Sequence, residues 1–508
     1  MSGPADETAG GSTATQLPPA RPAAPRNGVD AYFKITERGS SVAQEIRGGV
    51  ATFFTMAYIV VLNPLIIGTV ADANGGFVGG AANPGEAIPM VAAATALVAG
   101  VMTLLMGIVG RYPFAVATGL GLNAFVAFGI ATKMSWADAM GIVVIEGLVI
   151  LVLVLVGVRR AIFQAIPGDL KIAISVGIGL FIALIGFVDA GFVRRSEGGV
   201  PIELGIGGNL NGWPTLVFVI GLLVTGVLVA KKVKGGILIG IIATAVLAIV
   251  VEWIGKIGPV KDATGKVVNP EGWQLVVPEW PSKLVDMPNL GIIGHFSLLG
   301  SWQAVGAVTA LLFVFTLMLS DFFDTMGTVV GVGKEAGLLD EKGDLPGSDR
   351  VLLVDSVAAV AGGAASVSSN TTYIESAAGV GEGARTGLAS VVTGVLFLLA
   401  MFLTPLVAVV PFEAATPALV IVGFLMMTQI RDLNWNDYGV GIPAFLTMVL
   451  MPFTYNITVG IGAGLVSYVV IRAFQGRSRE LHPLLWVTAA LFLVYFAIAP
   501  IEGLLGVR

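Results

Sequence analysis

A chain of 508 residues that is 56% hydrophobic and 12% charged, where soluble domains carry about 25% charged residues, lacks the polar surface to solvate a globule of its size. With a mean hydropathy of +0.89 its main solvent is the bilayer, and without a basic, aromatic-rich patch no nucleic-acid partner is expected. The absence of Cys excludes disulfides, thiolate metal sites and Cys nucleophiles, while two His residues leave little for zinc chemistry, and the net charge of −5 says little because membrane proteins segregate charge by loop.

Residues 1–30, rich in Ala, Pro, Gly and Thr with no apolar period, read as a disordered cytoplasmic tail without the h-region of a signal peptide. Residues 31–48 form an amphipathic pre-membrane segment whose Lys34, Arg38 and Arg47 mark a cytoplasmic anchor. A spanning helix needs about 20 apolar residues, and such runs follow at 49–71, 87–110, 113–131, 139–158, 171–188, 213–230 and 235–255. A polar stretch at 256–300 reads as an extracellular loop, after which runs recur at 303–330, 351–365, 370–382, 387–411, 415–430, 438–454 and 457–473. Basic residues (Arg111, Arg159, Arg160, Lys171, Lys231, Lys232, Lys234, Lys334, Arg350, Arg385, Arg431) fall in loops that this count places inside. Arg194 and Arg195 are exceptions, offset by Glu197 and Glu203.

The expected fold is therefore an all-α integral membrane protein of about 14 transmembrane segments, with repeats at 49–255 and 301–475. Seven spans per half force opposite orientations, the 7+7 inverted-repeat plan of secondary transporters. Residues 476–508 hold a basic linker and a further apolar stretch, 484–505, and a fifteenth crossing there would move the C-terminus outside. In each half the third span is short and interrupted, at Pro113–Phe128 and Ser366–Glu382, and paired interruptions of this kind point to a midplane substrate site.

The sharpest chemical feature is DFFDTMGT, Asp321 to Thr328. An acid at the membrane centre costs about 2.5–3.5 kcal/mol on insertion scales, so two within one turn require partners or water. Asp321, Asp324 and Thr328 share a helix face; for Asp321 a place at the membrane surface and one in the site both stay open. Glu375, preceded by Ser, Asn and Thr and followed by Gly, stands where the backbone can leave the helix. One acid could carry a proton, while an ionised carboxylate, acceptor-only, matches the N–H donors on a purine edge. GLGLNAF, Gly119 to Phe125, offers the Asn123 amide and Phe125 as a stacking face, or is plain helix packing. Thr52, Thr55 and Tyr58 could face the site or satisfy neighbouring backbone, Glu146 reads as a packing hydrogen bond or an ion-path residue, and Glu382 with Arg385 reads as a loop pair. GVGKEAG, Gly331 to Gly337, lacks P-loop spacing, so no ATP-driven step is expected.

Five strings carry a resemblance. FKITERGSSVAQEIRGGVATFFTMAYIVVLNP (Phe33 to Pro64), GLGLNAF, IPGDLKIAISVGIGLFIALIGF (Ile166 to Phe187), DFFDTMGTVVGVGKEAGLLD (Asp321 to Asp340) and SSNTTYIESAAGVGEGARTG (Ser368 to Gly387) resemble the nucleobase:cation symporter-2 family, in its AzgA-like adenine–guanine–hypoxanthine permease branch. The resemblance implies core (spans 1–4 and 8–11) and gate (5–7 and 12–14) domains, with extended segments in spans 3 and 10 and substrate between core and gate. It also implies that acids on spans 8 and 10, here Asp324 and Glu375, bind the base; that Ala124 and Phe125 fall on the third-span segment; and that two copies can pair as a homodimer. Where uracil and xanthine relatives have Glu, and in some His one turn later, this chain has Asp324 and Thr328.

The expectation is a proton-coupled importer of adenine, guanine or hypoxanthine in the plasma membrane, with a cytoplasmic N-terminus and no cofactor. Asp324, Glu375, Asn123, Ala124, Phe125 and Thr328 are its substrate-site residues, and Asp324 and Asp321 its coupling residues. Two rivals remain: an inorganic-anion transporter on the same fold, which calls for a basic residue near the tenth-span break, and a metal-dependent intramembrane enzyme using the Asp321 and Asp324 pair.

Overall fold

The computed structural model describes residues 27–157, 167–196, 199–262, 266–340 and 345–505, side chains at Phe323 and 498–505 excepted. The tail before Asn27, Arg159, Arg160 and Glu197 lie outside these ranges. Among the described residues, ten helices are long and apolar enough to cross a bilayer.

The first half comprises α1 (Gly28–Phe33), α2 (Val42–Met56), α3 (Ile59–Ile67), α4 (Pro84–Leu105), β1 (Val116–Thr118), α5 (Leu120–Ala124), α6 (Trp136–Leu155) and α7 (Gly168–Asp189). A hairpin, β2 (Val193–Arg195) with β3 (Ile202–Leu204), leads to α8 (Trp213–Ala230) and α9 (Gly236–Gly255). The second half comprises α10 (Gly300–Glu335), α11 (Ser348–Ala364), β4 (Asn370–Thr372), α12 (Ser376–Gly381), α13 (Gly387–Ala400), α14 (Thr404–Ala408), α15 (Phe412–Met427), α16 (Tyr438–Thr454) and α17 (Ile457–Phe474).

The two interrupted runs meet. β1 pairs antiparallel with β4, Val116 opposite Thr372 and Thr118 opposite Asn370, and every residue of both strands is buried. Backbone that leaves the helix inside a membrane protein must find partners elsewhere, and each interrupted run supplies them to the other.

The run read as 49–71 is also broken. Pro64 has no N–H to give to Val60, and the helix tightens just upstream, with Val60 N bonding Ala57 O at 3.1 Å and Val61 N bonding Tyr58 O at 3.0 Å. Ala57 and Tyr58 form the joint between α2 and α3. A second break falls at Gly306 in α10 (φ 76°, ψ 161°), a conformation that a side chain would resist.

The pre-membrane segment is a clasp on the helix ends near Arg111 and Arg385. Asn27 caps α1, and the Arg38 guanidinium lies 4.3 Å from the Tyr112 ring while donating to Arg111 O (2.7 Å) and Arg385 O (3.1 Å). Glu45, fully buried, accepts from Arg385 N (2.8 Å) and Thr386 N (3.3 Å) at the start of α13. The expected Glu382 and Arg385 pair does not form. Glu382 bonds Arg47 at 2.7 Å and also Lys234, whereas Arg385 folds back onto Val380 O and Ala384 O at 2.7 Å each. The turn at Gly383 (φ 98°) carries Arg385 back to the open carbonyls that end α12.

The loop that begins at Lys256 packs on the ends of α9, α15 and α6. Trp273 is fully buried and donates to Glu252 (2.8 Å), Gln274 N donates to Glu413 (3.0 Å), and Ser297 N donates to Ala137 O (2.8 Å). Beyond Arg479 the chain forms α18 (Pro483–Leu505), which returns along α17 with Phe492 against Gly462.

Close approach between α4 and α13 depends on paired glycines. A Cβ on Gly387 would lie 2.0 Å from Gly107 O, and one on Gly394 2.7 Å from Gly100 O. Small residues of this kind let membrane helices touch backbone to backbone. Gly387→Ala is expected to cost about 1–3 kcal/mol by overpacking, read as a lower melting temperature in detergent. Gly381→Ala, where an added Cβ meets nothing within 4 Å, is expected to leave melting unchanged.

Candidate functional site

The β1 and β4 crossing brings the joint of α2 and α3, the middle of α10 and the start of α12 to one place. Glu375 is the residue before α12, half-buried, and its Oε1 accepts a hydrogen bond from the hydroxyl of Tyr58, itself 1% exposed at the helix joint. Thr55 Oγ1 approaches Glu375 O at 3.4 Å. Asp324, on α10, lies within electrostatic reach of Glu375 and Asp355. Its side chain is exposed. Tyr58 and Tyr373 each feel both Glu375 and Asp324, so two phenols flank the two acids.

Behind this group a network fixes the geometry. Asp355, fully buried on α11, accepts from Thr372 N (3.0 Å), Thr372 Oγ1 (2.9 Å) and Thr325 Oγ1 (2.7 Å), and Thr325 Oγ1 also bonds Thr371 Oγ1 (2.6 Å). Thr325 adjoins Asp324, and Thr372 stands three residues before Glu375. Tyr373 OH donates to Thr118 O (2.5 Å), and Ser376 Oγ accepts from Ala115 N (3.0 Å), so both strand ends are tied across the halves. Buried polar groups satisfied in this way make a rigid support.

The other sequence-predicted residues lie around this centre. Asp321 is fully buried, and Thr328 is 5% exposed. Asn123, fully buried, donates to Thr118 Oγ1 (3.0 Å), with its Oδ1 left without a hydrogen-bond partner among the described residues. Ala124 and Phe125 are each 1% exposed, and Phe125 stands edge-on to Phe313 at 6.1 Å. Glu146 is fully buried and its Oε2 accepts from Ser369 Oγ (3.2 Å), the residue before β4.

Three participants escaped the sequence reading. Asp355 carried the same signal as Asp324, an acid in an apolar run, and was passed over inside 351–365. Tyr373 and Thr325 gave no separate signal, since only the pairing of β1 with β4 reveals what they hold.

A permease family model, Xan_ur_permease, matches residues 43–463. The chain is 36% identical over 473 residues to the guanine/hypoxanthine permease PbuG of Bacillus subtilis, covering 92% of this chain and 98% of the relative. It is 35% identical over 470 residues to the adenine permease AdeP of Escherichia coli, covering 92% and 95%. Among solved structures, the transmembrane domain of the cyanobacterial bicarbonate transporter BicA superposes with a TM-score of 0.56 at 14% identity, over 83% of this chain and 97% of that one, a likeness of fold alone. A match across most of the chain, with relatives aligned nearly end to end, settles the class: the chain belongs to the nucleobase:cation symporter-2 family, a family of membrane permeases rather than enzymes.

Proposed function

We propose that this protein imports purine nucleobases (adenine, guanine, hypoxanthine) across the plasma membrane by proton symport. Alternating access operates between core and gate domains of a fourteen-span, 7+7 inverted repeat whose N-terminus is cytoplasmic, and two copies associate as a homodimer. Glu375 holds the edge of the base, and Asp324, with Asp321 one turn before it, handles the proton. The observation that carries this reading is the pair of acids, Asp324 and Glu375, within electrostatic reach of each other and braced by Tyr58 and Asp355. A carboxylate pair with phenols is a set of acceptors, donors and flat apolar faces suited to a heterocycle carrying N–H groups. The printed names of the two relatives, a guanine/hypoxanthine and an adenine permease, support the purine class.

The anion reading is disfavoured by the same segment. No Lys or Arg lies between Gly362 and Gly383, so the break offers no cation to an inorganic anion. The metal-enzyme reading is set aside by the family assignment, and Asp321 is buried whereas Asp324 is exposed.

The test is uptake of labelled hypoxanthine by cells or proteoliposomes, with unlabelled adenine and guanine as competitors and with a protonophore added. Competition by purines and collapse on dissipating the proton gradient are expected. Uptake indifferent to every purine would end the assignment, and uptake that follows sodium and ignores the protonophore would replace the proton.

A further inference from the structure

We propose that Glu382 and Lys234 form a latch between the two moving bodies of the transporter, made in the state seen here and broken in each cycle as the core moves against the gate. The inference rests on the reading of alternating access between a core that includes spans 1 and 10 and a gate that includes spans 6 and 7.

The two residues belong to different bodies. Glu382 directly follows α12, at the end of the tenth-span segment, and Lys234 lies in the turn between α8 and α9. Lys232 and Gly235 both take left-handed backbone (φ 56° and 69°), which makes a turn tight enough to lay Lys234 against Glu382. Gly235 also permits the approach of the turn to α2, since a Cβ there would stand 3.0 Å from Phe54 O.

Glu382 meets the gate's cation with a core cation already beside it. Arg47, on α2, holds Oε2 at 2.7 Å and donates to Glu382 O at 3.1 Å, while Lys234 meets Oε1. When the gate moves away, Arg47 travels with the acid, so Glu382 is never left as an unpaired charge. The Lys234 side chain is 54% exposed, and water replaces the carboxylate around it at little cost. A fully buried pair would resist separation; this one is weak enough to be broken and remade in every cycle.

The native chain has no Cys, so a pair of thiols can be introduced without background. In Lys234→Cys with Glu382→Cys, a short bifunctional methanethiosulfonate joins the two thiols through disulfides. A protease site inserted in the 256–300 loop then reports the link, as two halves held together on a non-reducing gel. Linked protein is expected to lose accumulation of labelled hypoxanthine and to regain it when a reductant cuts the link, whereas a monofunctional reagent leaves transport in place. Full uptake by linked protein overturns the proposal, and so does a link that never forms in a variant that transports, or an arrest that the monofunctional reagent matches. Should that variant not reach the membrane, Lys234→Cys with Gly381→Cys keeps the bond from Arg47 to Glu382 and is read in the same way, since an added Cβ at Gly381 meets nothing within 4 Å. Failure of the underlying reading is separable through Phe128 of the third span and Tyr455 at the end of α16, whose rings stand edge-on at 5.6 Å and also join core to gate. If links at both places leave transport intact, core and gate do not move past each other. If only the Phe128→Cys with Tyr455→Cys link arrests it, the movement stands and the latch alone fails.

Discussion

Glu375→Gln is expected to cut purine uptake by about 10- to 150-fold, the range that a hydrogen bond to a charged group, worth about 1.5–3 kcal/mol, converts to. The substitution preserves size and one acceptor oxygen. It removes the charge and puts an amide N–H₂ where an acceptor stood, either toward the Tyr58 hydroxyl or toward the base. Asp324→Asn should fail in a different way. If Asp324 carries the coupled proton, its amide can still permit exchange of labelled for unlabelled base across the membrane, while accumulation against a gradient is lost. Uptake and counterflow measured side by side, on protein confirmed to reach the membrane, separate the two roles. Full accumulation by both variants would remove these acids from the mechanism.

How much of this was legible in the sequence depends on which forces act locally. The bilayer imposes a requirement on every residue of a span, so the helices could be read directly from apolar runs. The same rule makes an intramembrane acid conspicuous, which is why Asp324 and Glu375 stood out. Four runs fall outside the ten candidate spans: 113–131 and 370–382 contain β1 and β4, and 351–365 and 438–454 correspond to helices of 17 residues, α11 and α16. Contacts between distant residues left weaker traces. Glu382 was matched to Arg385 because they are neighbours in sequence, but Arg47 and Lys234 reach it from elsewhere in the chain. The bond from Tyr58 to Glu375 joins residues 317 positions apart, and no local pattern announces it.

Asp355 offers the second large effect, and it tests whether the site is built or merely present. Its carboxylate joins Thr325, next to Asp324, to Thr372, three residues before Glu375, so one side chain sets the spacing of the two acids. Asp355→Leu, with the same branched skeleton but bulkier methyl groups, would leave the Thr372 N–H and two hydroxyls buried without this acceptor, at about 1–3 kcal/mol for each group left unsatisfied. Against a total stability of about 5–15 kcal/mol that loss is severe. The variant is expected to melt well below the parent and to transport little. Asp355→Asn separates geometry from charge: its remaining oxygen can accept from Thr372 N, and its amide can donate to Thr325 Oγ1, whose own proton stays available to Thr371. It is therefore expected to melt close to the parent while its apparent affinity for base changes, because Asp324 loses the field of a neighbouring carboxylate. Melting in detergent and concentration-dependent uptake decide the matter together. An Asp355→Leu protein with parental melting and parental uptake would show that the two acids keep their places without this tie.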